Sequence, residues 1–426
     1  MITVIGAGIA GLSFAKALEG GNVVILEQDS RIGGKAATYK INTPHGVFTF
    51  DIGGHWFHRR HHPEVLPLLG GLRLQEHVRY AFVHLDGTKI PFPVQQHYAS
   101  LGDKELVRRI DDELQSIRSS MPSAFRNYDD MLRKSYGRTL YEKFFKPYNS
   151  KMYGINDLQE IRLGGYEGVR NVRLDKSTQG YNPTFLYPPG DTGAIGIPLA
   201  LGEGLPIQHT VKVQSIRLDN RSMTAGGKKS HWDRIVSTMP LRELVDIIED
   251  AGPAIKEAAR ELKASRGMIL NLGIRKKPAN SGISWMYIPD MKYRFYRIGF
   301  YSNVEPALAP EGFDAVYVEC SPLFFSDENE ARALLPHIAD DLAELGIIDS
   351  PEDIVVSDAV YLPLNYCLPA PETTSLIRSY LERHGIYSIG RYGSWHWSSQ
   401  HEDMKQAMDL ARRIEKDDSR NGLRQR

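Results

Sequence analysis

Hydrophobic and polar positions follow two periods along this chain, and its first stretch carries both. Ile2 to Ile5 form a short β-branched run, GAGIAG follows, and SFAKALEGG then has helical spacing up to Gly20 and Gly21. NVVILEQD is a second strand. Strand, tight turn, helix and strand in that order favour a parallel sheet, so the fold class is α/β. Residues 101–150 are charged and periodic with few Gly or Pro, and predict a helical insertion. Within 205–235 the segments IQHTVKVQSIRLD and HWDRIVSTMP alternate as strands around the glycines at 226 and 227. Further strands are predicted over 267–275, 283–303 and 314–321, and helices over 241–264 and 327–345. The chain closes with the strand GIYSIG, the loop RYGSWHW, a helix near 402–416 and a frayed KDDSRNGLRQR.

The 426 residues, 42% of them hydrophobic, can bury a sizeable core. At roughly 100 to 200 residues per domain they make two or three domains. No internal repeat or low-complexity linker divides the chain, so the domains are expected to interleave. Lys plus Arg and Asp plus Glu both total 52, so no global field draws the chain to nucleic acid or an anionic membrane. Any anionic ligand must be held by local arginines. Cys320 and Cys367 suit a reducing compartment and have no metal-site spacing. MITVIG lacks a basic leader, and no run of about 18 apolar residues occurs. The expectation is a soluble cytoplasmic protein without nucleic-acid or membrane partners, its oligomeric state left open.

Gly6, Gly8 and Gly11 form GxGxxG between the first strand and the first helix. Such glycines permit a tight turn and the approach of a pyrophosphate to the helix N-terminus. Glu27 ends the second strand, where a carboxylate can accept from a ribose. A glycine turn with no nucleotide is the plainer alternative. Arg31, Gly33, Gly34 and Lys35 follow in DSRIGGKAATY, and then FDIGGHWF. This succession resembles the flavoprotein superfamily of amine oxidases, protoporphyrinogen oxidase and UDP-galactopyranose mutase, in which an RxGGR/K-type segment binds FAD. The resemblance implies a strand near the adenine around Val213 and a late glycine near the flavin at Gly390.

Later segments resemble the UDP-galactopyranose mutase family, particularly its eukaryotic type. KFFKPYNSKMYG is similar to PYNxKxW, GYNPTFLYPPGDTG to GPNxTFxxPxxGGTG, FYRIGFYSN to FYRxxxFSN, GRYGSWHW to GRFGSWxY, and IPFPVQ to PYPxQ. The resemblance implies a Rossmann-like FAD-binding unit (1–90, 190–265, 380–426), a helical insertion (98–165) and a mixed or antiparallel substrate-side sheet (80–97, 166–189, 266–379). It implies a pyranose/furanose mutase in which reduced flavin N5 attacks the anomeric carbon of a UDP-hexose and expels UDP. The sugar then ring-opens and re-closes with no net redox change, and NAD(P)H is a candidate reductant.

By the same resemblance Arg297 and Arg170 hold the diphosphate, with Arg173 the alternative to Arg170. Asn182 meets the sugar, Tyr287, Phe92 and Gln95 the base, and Arg391 the flavin side. Family tyrosines on the diphosphate fall here at Val304, Leu368 and Trp397, and family aromatics of the base pocket at Phe92 and Val94. Tyr366 is a candidate replacement for a lost tyrosine, and Trp397 remains a candidate substrate contact. These departures point to a changed sugar or nucleotide.

GGHWFHRRHHP places His55, His58, His61 and His62 close together. Gly53, Gly54 and His55 match the family's GGH loop beside the isoalloxazine, where a backbone shift accompanies flavin reduction, so His55 is the candidate for the chemistry. The other three, with Arg59 and Arg60, are expected in a solvated helix entry or turn. His58 and His62 have the i, i+4 spacing of zinc ligands, but Pro63 and the missing glutamate argue against it, and no metal is expected. The competing functions are an amine oxidase-like FAD oxidoreductase and a binding protein with a redox-silent FAD.

Overall fold

The computed structural model describes residues 1–18, 21–58, 62–119, 124–164 and 183–424. Ile2–Ile5, buried at every position, is the middle strand of a five-stranded sheet. Its order is Ile386–Ser388, Arg234–Ser237, Ile2–Ile5, Val23–Leu26 and Ile207–Gln208, all pairs parallel. Helix Ile9–Ala17 covers one face and packs against the C-terminal helix Gln400–Arg424, which extends beyond the predicted 402–416. Val4, Leu12, Phe14, Ile25, Met404 and Ala411 share that core. Among the described residues no helix is long and apolar enough to cross a membrane.

A second sheet has seven strands, in the order Ile354–Leu362, Gly267–Arg275, Phe313–Cys320, Phe295–Phe300, Trp285–Tyr287, Ala81–Leu85 and Thr88–Pro91. Every pair is antiparallel except Trp285–Tyr287 with Ala81–Leu85. Residues 80–90, expected in two units at once, thus lie with this sheet. The range 283–303, where strand structure was expected, holds two strands followed by a helical turn, Tyr301–Val304. The helix expected over 241–264 is likewise two, Leu241–Asp246 and Pro253–Arg260, separated where Pro253 starts a new first turn.

The predicted insertion is helical from Lys104 to Ser119 and Tyr128 to Tyr153, with a π-helical segment over Tyr141–Phe145. Its apolar side, including Ile110, Leu132 and Phe144, packs against Val83, Ile90 and Tyr296 of the larger sheet. Lys151 is completely buried at this junction, and its ammonium donates to the carbonyls of Ile288 (2.9 Å) and Asp290 (2.8 Å). The hairpin Thr38–Asp51 and helix Pro371–Arg383 were not predicted. That helix packs on Ile386–Ser388 and Pro253–Arg260, so residues 371–379 lie beside the five-stranded sheet rather than with the substrate-side strands.

Candidate functional site

One cavity of ≈ 1090 Å³ runs from the glycine turn, past the 53–55 loop, to the seven-stranded sheet and the insertion. At the first end, Gly6 has φ +98°, and a methyl on Gly11 would stand 2.1 Å from the Gly6 carbonyl oxygen. Both glycines are therefore required by the protein itself. Gly8 differs: its φ of −85° suits any residue, and a methyl there would meet nothing within 4 Å. Gly8, Gly33, Gly34 and Val213 line the cavity, and the Gly33 amide donates to the Ala7 carbonyl at 2.9 Å. Glu27 is buried, and its two oxygens accept from the amides of Ala7 (2.7 Å) and Asp29 (2.8 Å). A carboxylate has about four acceptor sites, so lone pairs remain for a ribose. Arg31 is exposed and lies outside the cavity lining, whereas Lys35 is inside it.

At the centre stand Lys35, Gly54, His55, Gly390 and Arg391. Lys35 donates to the Leu364 carbonyl at 2.6 Å, and burial together with the Arg391 charge pushes its ammonium down to about 7. The His55 ring meets the Ile52 carbonyl through Nε2 at 2.8 Å. A carbonyl only accepts, so Nε2 carries the proton. Burial, and then the cations Arg391, Lys35 and Arg297, push His55 down to about 4, so it is neutral at neutral pH. The His55 carbonyl accepts from the Gln400 amide at 3.0 Å, and the amide oxygen of Gln400 is buried without a partner among the described residues. Arg391 donates to the Ser398 carbonyl at 2.8 Å and lies 5.7 Å from the Trp397 ring centre.

At the far end Arg297 and Glu319 are register partners on antiparallel strands. The guanidinium is 22% exposed and the carboxylate 4%, and Arg297 Nε donates to Glu319 at 2.8 Å. Burial, the largest single influence, works against the guanidinium's proton, but the Glu319 carboxylate together with Tyr366, Tyr148 and Tyr317 outweighs it and holds Arg297 well above its ordinary range. The remaining edge of Arg297 reaches the Tyr366 hydroxyl at 3.4 Å, and Tyr366 stacks on Trp397 at 4.7 Å. Beyond them Tyr287 lies between Phe92 (4.8 Å) and Tyr148 (5.3 Å), and Arg79 sits over Phe92 at 5.1 Å. Gln95 is buried and lines the same end.

Val304, Val94 and Leu368, the positions of missing family aromatics, are buried in packing clusters and do not line the cavity; Tyr366 does, beside Arg297. Arg170, Arg173 and Asn182 lie outside the described residues, as do Arg59, Arg60 and His61. His58 is half-buried and lines the cavity, which corrects its placement in a solvated helix entry or turn. His62 has a non-helical backbone and precedes a short 3-10 helix, Pro63–Leu69, and the residues between it and His58 lie outside the described ones. No group of three or more potential ligands among the described residues could hold a metal. Glu319, Tyr148 and Asn149 line the site without having been singled out. For Glu319 the signal was a lone acid in the apolar run AVYVEC.

The residues fit FAD. Gly8 borders open space in the cavity, Glu27 keeps free lone pairs, and Gln400, whose amide nitrogen holds the His55 carbonyl, has a buried orphan acceptor among the described residues. The model of the flavin containing amine oxidoreductase family matches residues 9–399. A reduced UDP-galactopyranose mutase has a similar fold, with TM-score 0.84 and 22% identity over 97% of this chain and 93% of that one. An oxidoreductase from Methanosarcina mazei follows, with TM-score 0.68 and 17% identity over 96% and 99% of the two chains. A putrescine oxidase reaches TM-score 0.63 and 15% identity over 97% and 98%. The identities are low enough that these likenesses speak for the fold alone. The family match runs over most of the sequence, including the cavity-lining residues from Ile9 to Ser399, and on that ground the chain belongs to the flavin containing amine oxidoreductase family.

Proposed function

We propose that the protein interconverts the pyranose and furanose forms of a nucleotide-linked hexose, such as UDP-galactopyranose, in the cytoplasm. The observation that carries this reading is Arg297, a guanidinium partly open to an aromatic-walled cavity. Such a group favours an anionic substrate and repels the alkylammonium group an amine oxidase would take. Along Gly8, Glu27 and the 53–55 loop, bound reduced FAD would supply a nucleophilic ring nitrogen for the anomeric carbon without net oxidation, and NAD(P)H would be its source of electrons.

The chain's own residues do the rest. Arg297, oriented by Glu319, holds the diphosphate, and the Tyr366 hydroxyl beside it offers a further donor. A departing diphosphate kept at this pair stays at high effective concentration for recapture. Phe92, Tyr148 and Tyr287 give the base an apolar slot, and the Tyr366–Trp397 stack keeps water from the sugar. Neutral His55 contributes a lone pair on Nδ1 rather than a charge.

The test is a panel of UDP-, GDP- and dTDP-hexoses incubated with oxidised and with dithionite-reduced holoenzyme, products separated by chromatography. Conversion by the reduced form alone is expected. No conversion of any member, together with anaerobic bleaching of the flavin by an amine, would replace this reading with an oxidase.

A further inference from the structure

We propose that Tyr301 is a positioning residue that sets the conformation of the Gly53–His55 loop against the flavin. The loop lines the cavity, while Tyr301 lies fully buried behind it. The Gly53 amide donates to the Tyr301 hydroxyl at 3.1 Å. The same hydroxyl has two acceptors within reach, the Asp51 carbonyl at 2.9 Å and the Asn271 amide oxygen at 3.2 Å.

One hydroxyl has one proton, so it serves one acceptor well at a time. The Asp51 carbonyl also accepts from the Asn271 amide nitrogen at 2.7 Å, so the Tyr301 proton can turn to Asn271 without leaving Asp51 unpartnered. The hydroxyl is thus a pivot with two satisfied positions, located where the backbone leaves strand Gly46–Asp51 for the loop.

Gly53 is the joint that this pivot controls. Its φ is +85°, and a methyl there would meet only ordinary contacts, so the positive φ is what calls for glycine. Gly54 is confined on its other side, where a methyl would stand 2.5 Å from the Tyr317 hydroxyl. Beyond the joint, the His55 carbonyl is held by Gln400 and the His55 ring by the Ile52 carbonyl. A backbone rotation between Ile52 and His55 must therefore change the Gly53 to Tyr301 bond. Segments of the FYRxxxFSN type carry Phe at this place, and FYRIGFYSN carries Tyr301. The tether is a property of this chain beyond that motif.

The inference rests on flavin binding and not on the sugar reaction, so a failed sugar assay leaves it standing. Tyr301→Phe removes one oxygen and keeps the ring packed. Two quantities are read on the holoenzyme: hydrogen exchange of residues 51–55, and the ratio of oxidised to reduced flavin at a fixed redox poise. Each is expected to change by about five-fold, the factor for one net hydrogen bond, with a melting temperature near that of the wild type. Unchanged exchange in 51–55 overturns the proposal, as does a fall in melting temperature with an unmoved flavin ratio, which is plain packing. Should the variant not fold, the wild type decides: exchange of the Gly53 amide must differ between oxidised and dithionite-reduced holoenzyme, and equal rates refute the pivot.

Discussion

Arg297 and Glu319 lie side by side on adjacent antiparallel strands, and the carboxylate takes up one edge of a guanidinium whose other edge faces the cavity. Removing the carboxylate leaves a largely buried cation without its partner, which costs about 3 kcal/mol. Glu319→Gln is therefore expected to melt well below the wild type. A diphosphate can replace the lost anion, so UDP should raise the melting temperature of Glu319→Gln more than that of the wild type. Thermal shift with and without UDP measures both. Equal UDP shifts in the two proteins would mean that Arg297 does not meet the diphosphate.

Gly8 and Gly11 separate the needs of the fold from those of the cofactor. Gly11→Ala forces a methyl to within 2.1 Å of a backbone oxygen and should destabilise the protein by about 2 to 3 kcal/mol, whatever is bound. Gly8→Ala meets no protein atom within 4 Å, so the FAD-free protein should melt at the wild-type temperature. Its methyl instead enters the space where a pyrophosphate approaches the helix. FAD affinity should fall at least about ten-fold, equal to roughly 1.4 kcal/mol. Titration of the stripped proteins with FAD checks both, and wild-type affinity in Gly8→Ala would move the dinucleotide elsewhere.

These residues also mark what was legible in the sequence. Gly6, Gly8, Gly11 and Glu27 form a local pattern of strand, turn, helix and strand, and local periodicity reports such units well. Arg297 was singled out by the resemblance of FYRIGFYSN to the FYRxxxFSN segment. Glu319 pairs with it, 22 positions on, through the ladder between two consecutive strands, and the periodicity of neither strand reports that register. Tyr301 escaped notice because its contacts reach back to Asp51 and Gly53 across the whole chain. The hairpin Thr38–Asp51 was missed because its first strand alternates half-buried Tyr39 and Ile41 with exposed Lys40 and Asn42 over only six residues. His58 was misplaced for a related reason: a run of His and Arg looks solvated, yet its neighbours Trp56 and Phe57 are buried and carry it to the cavity edge.

Lys151 ties the helical insertion to the larger sheet. Its ammonium serves the carbonyls of Ile288 and Asp290, and its own carbonyl accepts from the Ser321 hydroxyl at 2.9 Å. Lys151→Met fills the space but orphans two buried carbonyls. Each orphaned group costs about 1 to 3 kcal/mol. Urea unfolding should show a loss of about 2 to 4 kcal/mol, with increased hydrogen exchange over 146–153 and 288–290. A loss below about 0.5 kcal/mol would mean that water or a neighbour satisfies the carbonyls.

His55 and Asp403 bend the pH profile of stability in opposite directions. His55 falls from 6.5 to about 4 on folding, through burial and neighbouring cations. Between those values the unfolded chain holds more protons, so its contribution is complete above pH 6.5 and is lost as pH falls toward 4. Asp403, half-buried and accepting from the Ser398 hydroxyl at 2.5 Å, rises from 3.8 to about 6 through loss of solvation. Here the folded protein holds more protons, so the contribution is complete below pH 3.8 and is lost as pH rises through 6. At about 1.4 kcal/mol per pH unit, each effect is on the order of 3 kcal/mol. Asp403→Asn keeps an acceptor for Ser398 and abolishes the titration. With saturating FAD it should be more stable than the wild type near pH 7.5 by on the order of 2 kcal/mol, and the advantage should vanish toward pH 4. Urea midpoints across that range measure the difference directly. An advantage that stays flat with pH would show that Asp403 does not change charge there, and a variant less stable than the wild type near pH 7.5 would show that Arg391 stabilises the carboxylate instead.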